Sequence, residues 1–226
     1  MTDLRSIYDN RVADGSLSPD PAQEAVLPEL DRIRSALMAP QKKGFFKRAP
    51  EPPQGLYLWG GVGRGKSMLM DMFAANMGDV PTRRVHFHAF MQEIHSAMHE
   101  ARKTGVDDAI APVAAEVANS VKLLAFDEMQ ITAITAALLV GRLGVVVVTT
   151  SNRIPDDLYK DGLNRQIFLP FIELIKEKMK VMELASPRDY RQDRLAGTKS
   201  YFTPVNPESR AAMNAVWDDL AGGPGE

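Results

Sequence analysis

The chain of 226 residues contains no cysteine. That absence removes disulfides, thiolate metal sites and thiol nucleophiles together, and it is compatible with a reducing compartment. Long apolar runs are lacking too. No stretch reaches the length of a membrane-spanning helix, and the start, Met1-Thr2-Asp3-Leu4-Arg5-Ser6, carries no apolar run like a secretory signal. A cytoplasmic protein is expected. Charge of one sign is not in excess: the formal net charge is −2. There is no global field to draw nucleic acid, so nucleic acid is a disfavoured partner, although a local basic patch can hide beneath a balanced total. What is present is a 45% apolar composition without low complexity, enough for a substantial core in one domain or one domain with an appendage.

The most informative stretch is Gly60-Gly61-Val62-Gly63-Arg64-Gly65-Lys66-Ser67, which fits the phosphate-binding pattern G-x-x-x-x-G-K-[ST] without a mismatch. Leu56-Tyr57-Leu58-Trp59 before it reads as a short strand, and Ser67 to Ala74 after it has no breaker and reads as a helix. Glycines let backbone N–H groups curl round a phosphate, and a helix N-terminus adds partial positive charge. Lys66 supplies a mobile cation for the β- and γ-phosphates, and Ser67 is the expected Mg²⁺ ligand. The nucleotide-binding residues are therefore Gly60, Gly61, Val62, Gly63, Arg64, Gly65, Lys66, Ser67 and Met68, with ATP or ADP as ligand.

Residues 1 to 39 read as two helical pieces broken at 15–21, with Leu27, Leu30, Ile33 and Leu37 on one apolar face. Gln41 to Pro53 mixes prolines, charges and two phenylalanines; it reads first as an exposed linker, with a nucleic-acid backbone or acidic surface as the alternative partner. Arg84 to His88 alternates like a strand, and Phe90 to Lys103 reads as a helix stopping at Gly105. His95 and His99 lie four apart, but no glutamate follows the first and no third ligand is near, so surface or partly buried histidines are the better reading.

Val121 to Glu128 is an apolar strand ending in two adjacent carboxylates, the Walker B arrangement. Asp127 is placed to hold Mg²⁺ and Glu128 to polarise an attacking water; alone, the pair could equally be an acidic helix cap. Gly144 to Thr150 is a β-branched run suited to a strand buried on both faces, ending in Ser151-Asn152. Asn152 fits the polar residue called sensor 1, although the local sequence by itself favours a cap before Pro155. Leu158 to Ile175 reads as packed helix interrupted at Gly162 and Pro170, and Lys180 to Leu184 as a fifth strand. The fold expected is α/β: a three-layer P-loop NTPase of additional-strand (ASCE) type, with a five-stranded parallel sheet in the order 5-1-4-3-2 and a helical N-terminal segment. Its boundaries are expected at 1–48 for that segment and linker, 49–192 for the ATPase core, and 193–226 for a polar tail or lid remnant.

The wording of these motifs resembles the ZapE (AFG1-like) family of AAA+-type ATPases. The matching residues are Gly55 to Ser67, His86-Phe87-His88, Phe126-Asp127-Glu128, Gly141-Arg142-Leu143, Thr150-Ser151-Asn152 and the long stretch Leu158 to Ile172. The resemblance implies ATP hydrolysis, with Arg165 a candidate arginine finger reaching a neighbouring subunit of a homo-oligomer. It also implies a role at the bacterial FtsZ division ring, or, for mitochondrial relatives, in turnover of respiratory-chain subunits. Three departures accompany it. Ala133 and Ala136 stand where family members usually carry aspartates, Arg142-Leu143 passes to Gly144 with almost no connection, and residue 226 falls short of the family's lid with its sensor 2 arginine.

Three functions follow from these readings. The first is an ATPase that remodels a protein assembly; the second is a nucleotide-gated binding module with little turnover. The third is a DNA-dependent ATPase of helicase-loader type, for which only the basic 42–48 segment speaks.

Overall fold

The computed structural model describes residues 2–40, 52–103, 105–129, 145–160, 162, 165–190, 203–204 and 206–221. It divides into two compact units, Met1–Pro187 and Arg188–Glu226. The basic linker, Ala133, Ala136 and the Arg142–Gly144 junction lie outside the described residues.

The first unit is built on five strands: β1 (Gly55–Trp59), β2 (Thr82–His86), β3 (Leu123–Asp127), β4 (Val146–Ser151) and β5 (Met179–Glu183). They form one sheet in the order β2-β3-β4-β1-β5, the order expected, and every pairing is parallel. Registers place Trp59 opposite Ser151 and Glu183, and His86 opposite Asp127. The carboxyl ends of the strands thus share one edge, where open α/β sheets bind their ligands. β3 and β4 are buried along their whole length, which explains their continuous apolar character: helices cover both faces.

Strand alternation divides the core in two. On one face Tyr57, Leu124, Phe126 and Val147 meet α5 (Phe87–Lys103), α6 (Ile110–Ser120) and α7 (Arg165–Lys178). On the other, Leu56, Leu58, Ala125 and Val148 meet α4 (Lys66–Ala75) together with α1 (Leu4–Ala13), α2 (Pro21–Glu24) and α3 (Leu27–Met38). Leu4, Tyr8, Leu27, Leu30 and Ile33 are buried in that second cluster, so the N-terminal helices complete a layer of the core. The second unit contains α8 (Pro207–Ala221), where the Asn206 side chain accepts from the Ser209 backbone N–H at 2.7 Å.

Element boundaries differ from the sequence reading in several places. The strand stops at His86 and helix α5 begins at Phe87, because Phe87, Phe90, Met91, Ile94 and Met98 form one buried helical face. Phe87 and Phe90 both pack on Phe126, with ring centroids 5.4 and 4.8 Å apart. Pro170, expected to interrupt, lies inside the continuous helix α7 on its exposed side, where solvent tolerates the loss of a donor. Gly162 does break the chain: Tyr159, at φ 55°, lays its ring where a Cβ on residue 162 would come within 2.2 Å.

Candidate active site

Three glycines of the turn from β1 to α4, Gly60, Gly63 and Gly65, take positive φ. Gly60 has φ 153° and sits so close to β5 that an added Cβ would lie 2.6 Å from the Leu184 carbonyl oxygen. Gly65, at φ 91°, is the left-handed residue from which α4 starts. Between them the chain folds back on itself, and Val62 is exposed at the tip.

Lys66, the first residue of α4, is buried and not splayed on the surface. Its Nζ donates to the carbonyl oxygens of Gly60 (2.8 Å) and Gly61 (2.7 Å), and to Oδ1 of Asn152 (2.9 Å). The sensor-1 position at the end of β4 is therefore joined to the phosphate loop at the end of β1. The turn that carries Asn152 is anchored from below by Tyr57, whose hydroxyl donates to the Arg153 carbonyl at 2.8 Å. Burial pushes the Tyr57 phenol up to about 12.

Ser67 donates its hydroxyl to Asp127 Oδ1 at 3.2 Å, which brings together the hydroxyl and carboxylate expected to hold Mg²⁺. Asp127 is buried at the end of β3 and also accepts from the Thr150 hydroxyl and, at Oδ2, from the Arg84 guanidinium at 2.8 Å. Burial alone would raise its carboxyl. The hydroxyls of Thr150 and Ser67 and the Arg84 cation outweigh that, and hold it below the usual carboxylate range. Arg84 is held in turn by Asp71 of α4 at 2.9 Å.

Glu128 follows at φ 53°, in the left-handed region, and is exposed where Asp127 is buried. Its backbone N–H donates to the Thr150 hydroxyl at 3.2 Å, and that of Met129 to the Thr150 carbonyl at 2.8 Å. Arg165 stands apart. At the first residue of α7 it donates to the Asp156 carbonyl, its Nε is buried without a partner, and among the described residues no hydrogen bond joins it to Lys66, Asp127 or Asn152. All four histidines are exposed.

Sequence reasoning missed Arg84, Thr150 and Tyr57 as parts of this site, and it missed Gln23, which lies behind the loop and outside the site and whose amide Nε2 donates to the Arg64 carbonyl at 3.1 Å. Arg84 carried one signal, a charge inside a segment that alternates like a strand. The others read as ordinary strand or helix residues.

A buried lysine in a glycine turn, a hydroxyl on the next residue and a carboxylate at the end of β3 form a donor set suited to a metal-bound polyphosphate. Comparison with known proteins gives the same direction: the profile of the AFG1-like ATPase family matches residues 2–226. The chain belongs to that family. It is 35% identical over 241 residues to cell division protein ZapE of Escherichia coli, an alignment covering 96% of this chain and 64% of ZapE. It is 38% identical over 189 residues to lactation elevated protein 1 homolog B of Danio rerio, covering 76% of this chain and 38% of that protein. The chain thus spans less than two thirds of the length of these curated relatives. Among solved structures, domain III of the replication initiator DnaA from Thermotoga maritima superposes with a TM-score of 0.55 at 15% identity, covering 93% of this chain and 90% of that one. That likeness is one of fold, the AAA+ P-loop fold.

Proposed function

We propose that this AFG1-like ATPase family member hydrolyses Mg²⁺–ATP at the β1, β3 and β4 ends, and uses the turnover to remodel a protein assembly in the cytoplasm. The FtsZ division ring is the proposed assembly, on the likeness to a cell division protein. The observation that carries the reading is the joining of Lys66 to Asn152 and of Ser67 to Asp127 at one edge of the sheet. Lys66 and the loop from Gly60 to Met68 hold the phosphates. Ser67 and Asp127 hold Mg²⁺, which when bound withdraws charge from the phosphate oxygens. Asn152, fixed beside Lys66, orients the terminal phosphate or the water that attacks it. Glu128 takes the proton of that water; its exposure at the strand end suits a base that must reach solvent.

The decisive experiment is phosphate release by the parent protein and Glu128→Gln, with and without a chelator. Turnover in the parent that needs Mg²⁺, and that falls roughly a hundredfold or more in Glu128→Gln with ATP still bound, is expected. Loss of ATP binding in that variant would make Glu128 structural. One observation favours a second reading, the nucleotide-gated binding module: both oxygens of Asp127 are already engaged by protein donors. Tight ADP binding by a parent protein that releases no phosphate would select it.

A further inference from the structure

The phosphate loop is held from outside by a residue that the ATPase chemistry does not call for. Gln23 lies on α2, a helix of a single turn started by Pro21 and by Asp20, whose side chain accepts from the Ala22 N–H at 2.9 Å. The Gln23 side chain is 2% exposed. Its Oε1 accepts from the Tyr8 hydroxyl at 3.2 Å, and that hydroxyl accepts from the Asp20 N–H at 3.0 Å. With its oxygen assigned in this way, the amide turns Nε2 to the Arg64 carbonyl at 3.1 Å. The contact is tight: a Cβ on Gly65 would lie 2.5 Å from Nε2.

The consequence concerns the peptide between Arg64 and Gly65. A trans peptide is planar, with its C=O and N–H pointing opposite ways. Fixing the Arg64 carbonyl on Gln23 therefore fixes the Gly65 N–H to point away from Gln23. Glycine flanks this peptide because the loop needs φ 91° there, and glycine also makes a flip of that peptide inexpensive. A phosphate-binding loop needs its N–H groups converged on one anion, so a loop of glycines gains from a tether that removes the alternative.

Resting on the nucleotide reading above, we propose that Gln23 is a positioning residue for the phosphate loop. Oriented by Tyr8, it sets the Arg64–Gly65 peptide for phosphate binding and couples nucleotide occupancy to the ordering of α1 and α2. Coupling of this kind is reciprocal: what the N-terminal helices contribute to nucleotide affinity, bound nucleotide returns to their stability. A partner that pulled α1 from the core would release nucleotide.

The test uses the full chain with ADP as the probe, and compares Gln23→Met, which keeps the packing without the amide, with Tyr8→Phe, which keeps the ring without the hydroxyl. Loss of the amide's hydrogen bond to the Arg64 carbonyl predicts a fall in ADP affinity of about five- to tenfold in Gln23→Met and a smaller fall in Tyr8→Phe. At saturating ATP, kcat should stay within about twofold, placing the defect in KM. In the parent, ADP should slow amide hydrogen exchange across α1 and α2; in Gln23→Met it should not. Parent-like ADP affinity and parent-like ADP protection of α1 in Gln23→Met overturn the proposal, and if that variant does not fold, parent-like affinity in Tyr8→Phe does so. A parent protein that binds no ADP, indistinguishable from Lys66→Ala, overturns the nucleotide reading itself and this proposal with it.

Discussion

Lys66 shows how one residue serves two roles. Buried at the start of α4, its ammonium satisfies two loop carbonyls and the Asn152 amide, so it organises the loop, and under the proposed function it also offers a cation to phosphate. Lys66→Ala is expected to abolish ADP and ATP binding in a titration and also to cost about 1–3 kcal/mol of stability in urea unfolding, because it leaves buried acceptors unpaired. A surface lysine at a helix start would cost nothing measurable. Unchanged nucleotide affinity in this variant would sink the phosphate-loop assignment. Asp127 is the second residue of this kind. Its charge is stabilised before any metal arrives by Arg84, Thr150 and Ser67, which also fix the carboxylate in orientation.

At the scale of elements, the site is a consequence of strands ending level with one another. β1 lies between β4 and β5, and the Tyr57 side chain reaches from β1 to the turn after β4. Tyr57→Phe is expected to cost about 1 kcal/mol at neutral pH, the scale of a buried hydrogen bond, and to weaken ATP affinity by loosening the Asn152 turn. Its pH dependence has a definite sign. The folded phenol titrates at about 12 against an ordinary 10.0, so folding favours the protonated form. The contribution is complete below pH 10 and is lost as pH rises from 10 to about 12. Urea unfolding of the parent should weaken through that window more steeply than that of Tyr57→Phe; parallel curves would remove Tyr57 as the titrating group.

At the scale of the whole molecule, the role proposed for Arg165 bears on whether the site is complete in one chain. It sits at the start of α7, donating to the Asp156 carbonyl, outside the hydrogen-bonded group around Lys66. We propose that it acts on the nucleotide of a neighbouring copy, where an arginine finger can be worth roughly a thousandfold or more in rate. Mixing Arg165→Ala subunits with Lys66→Ala subunits, each inactive alone, is then expected to restore phosphate release, measured at concentrations where oligomers form. A fully active Arg165→Ala protein under those conditions would reduce the residue to a surface contact worth under about 1 kcal/mol.

The glycine pattern, the lysine and serine behind it and the carboxylates after an apolar run were legible because each is a local requirement. A phosphate loop needs glycine torsions within a few residues, and a doubly covered strand needs a β-branched run. The parallel sheet followed from strands and helices alternating along the chain. Where β2 yields to α5 was not legible, since Arg84 to His88 alternates like a strand; the buried face beginning at Phe87 and packed on Phe126 decided it. The partners of the site residues were equally beyond reach. Lys66 meets Asn152 across 86 positions, Arg84 meets Asp127 across 43, and Gln23 meets Arg64 across 41. Such pairs are set by which strands lie side by side and which helices cover them. By itself the sequence determined where the glycine loop, its lysine and the paired carboxylates fall, which are the residues proposed for phosphate chemistry; only the tertiary structure decided that Arg84 grips Asp127 and that the N-terminal helices hold the glycine loop, because both contacts are made by elements that meet only once the sheet has assembled.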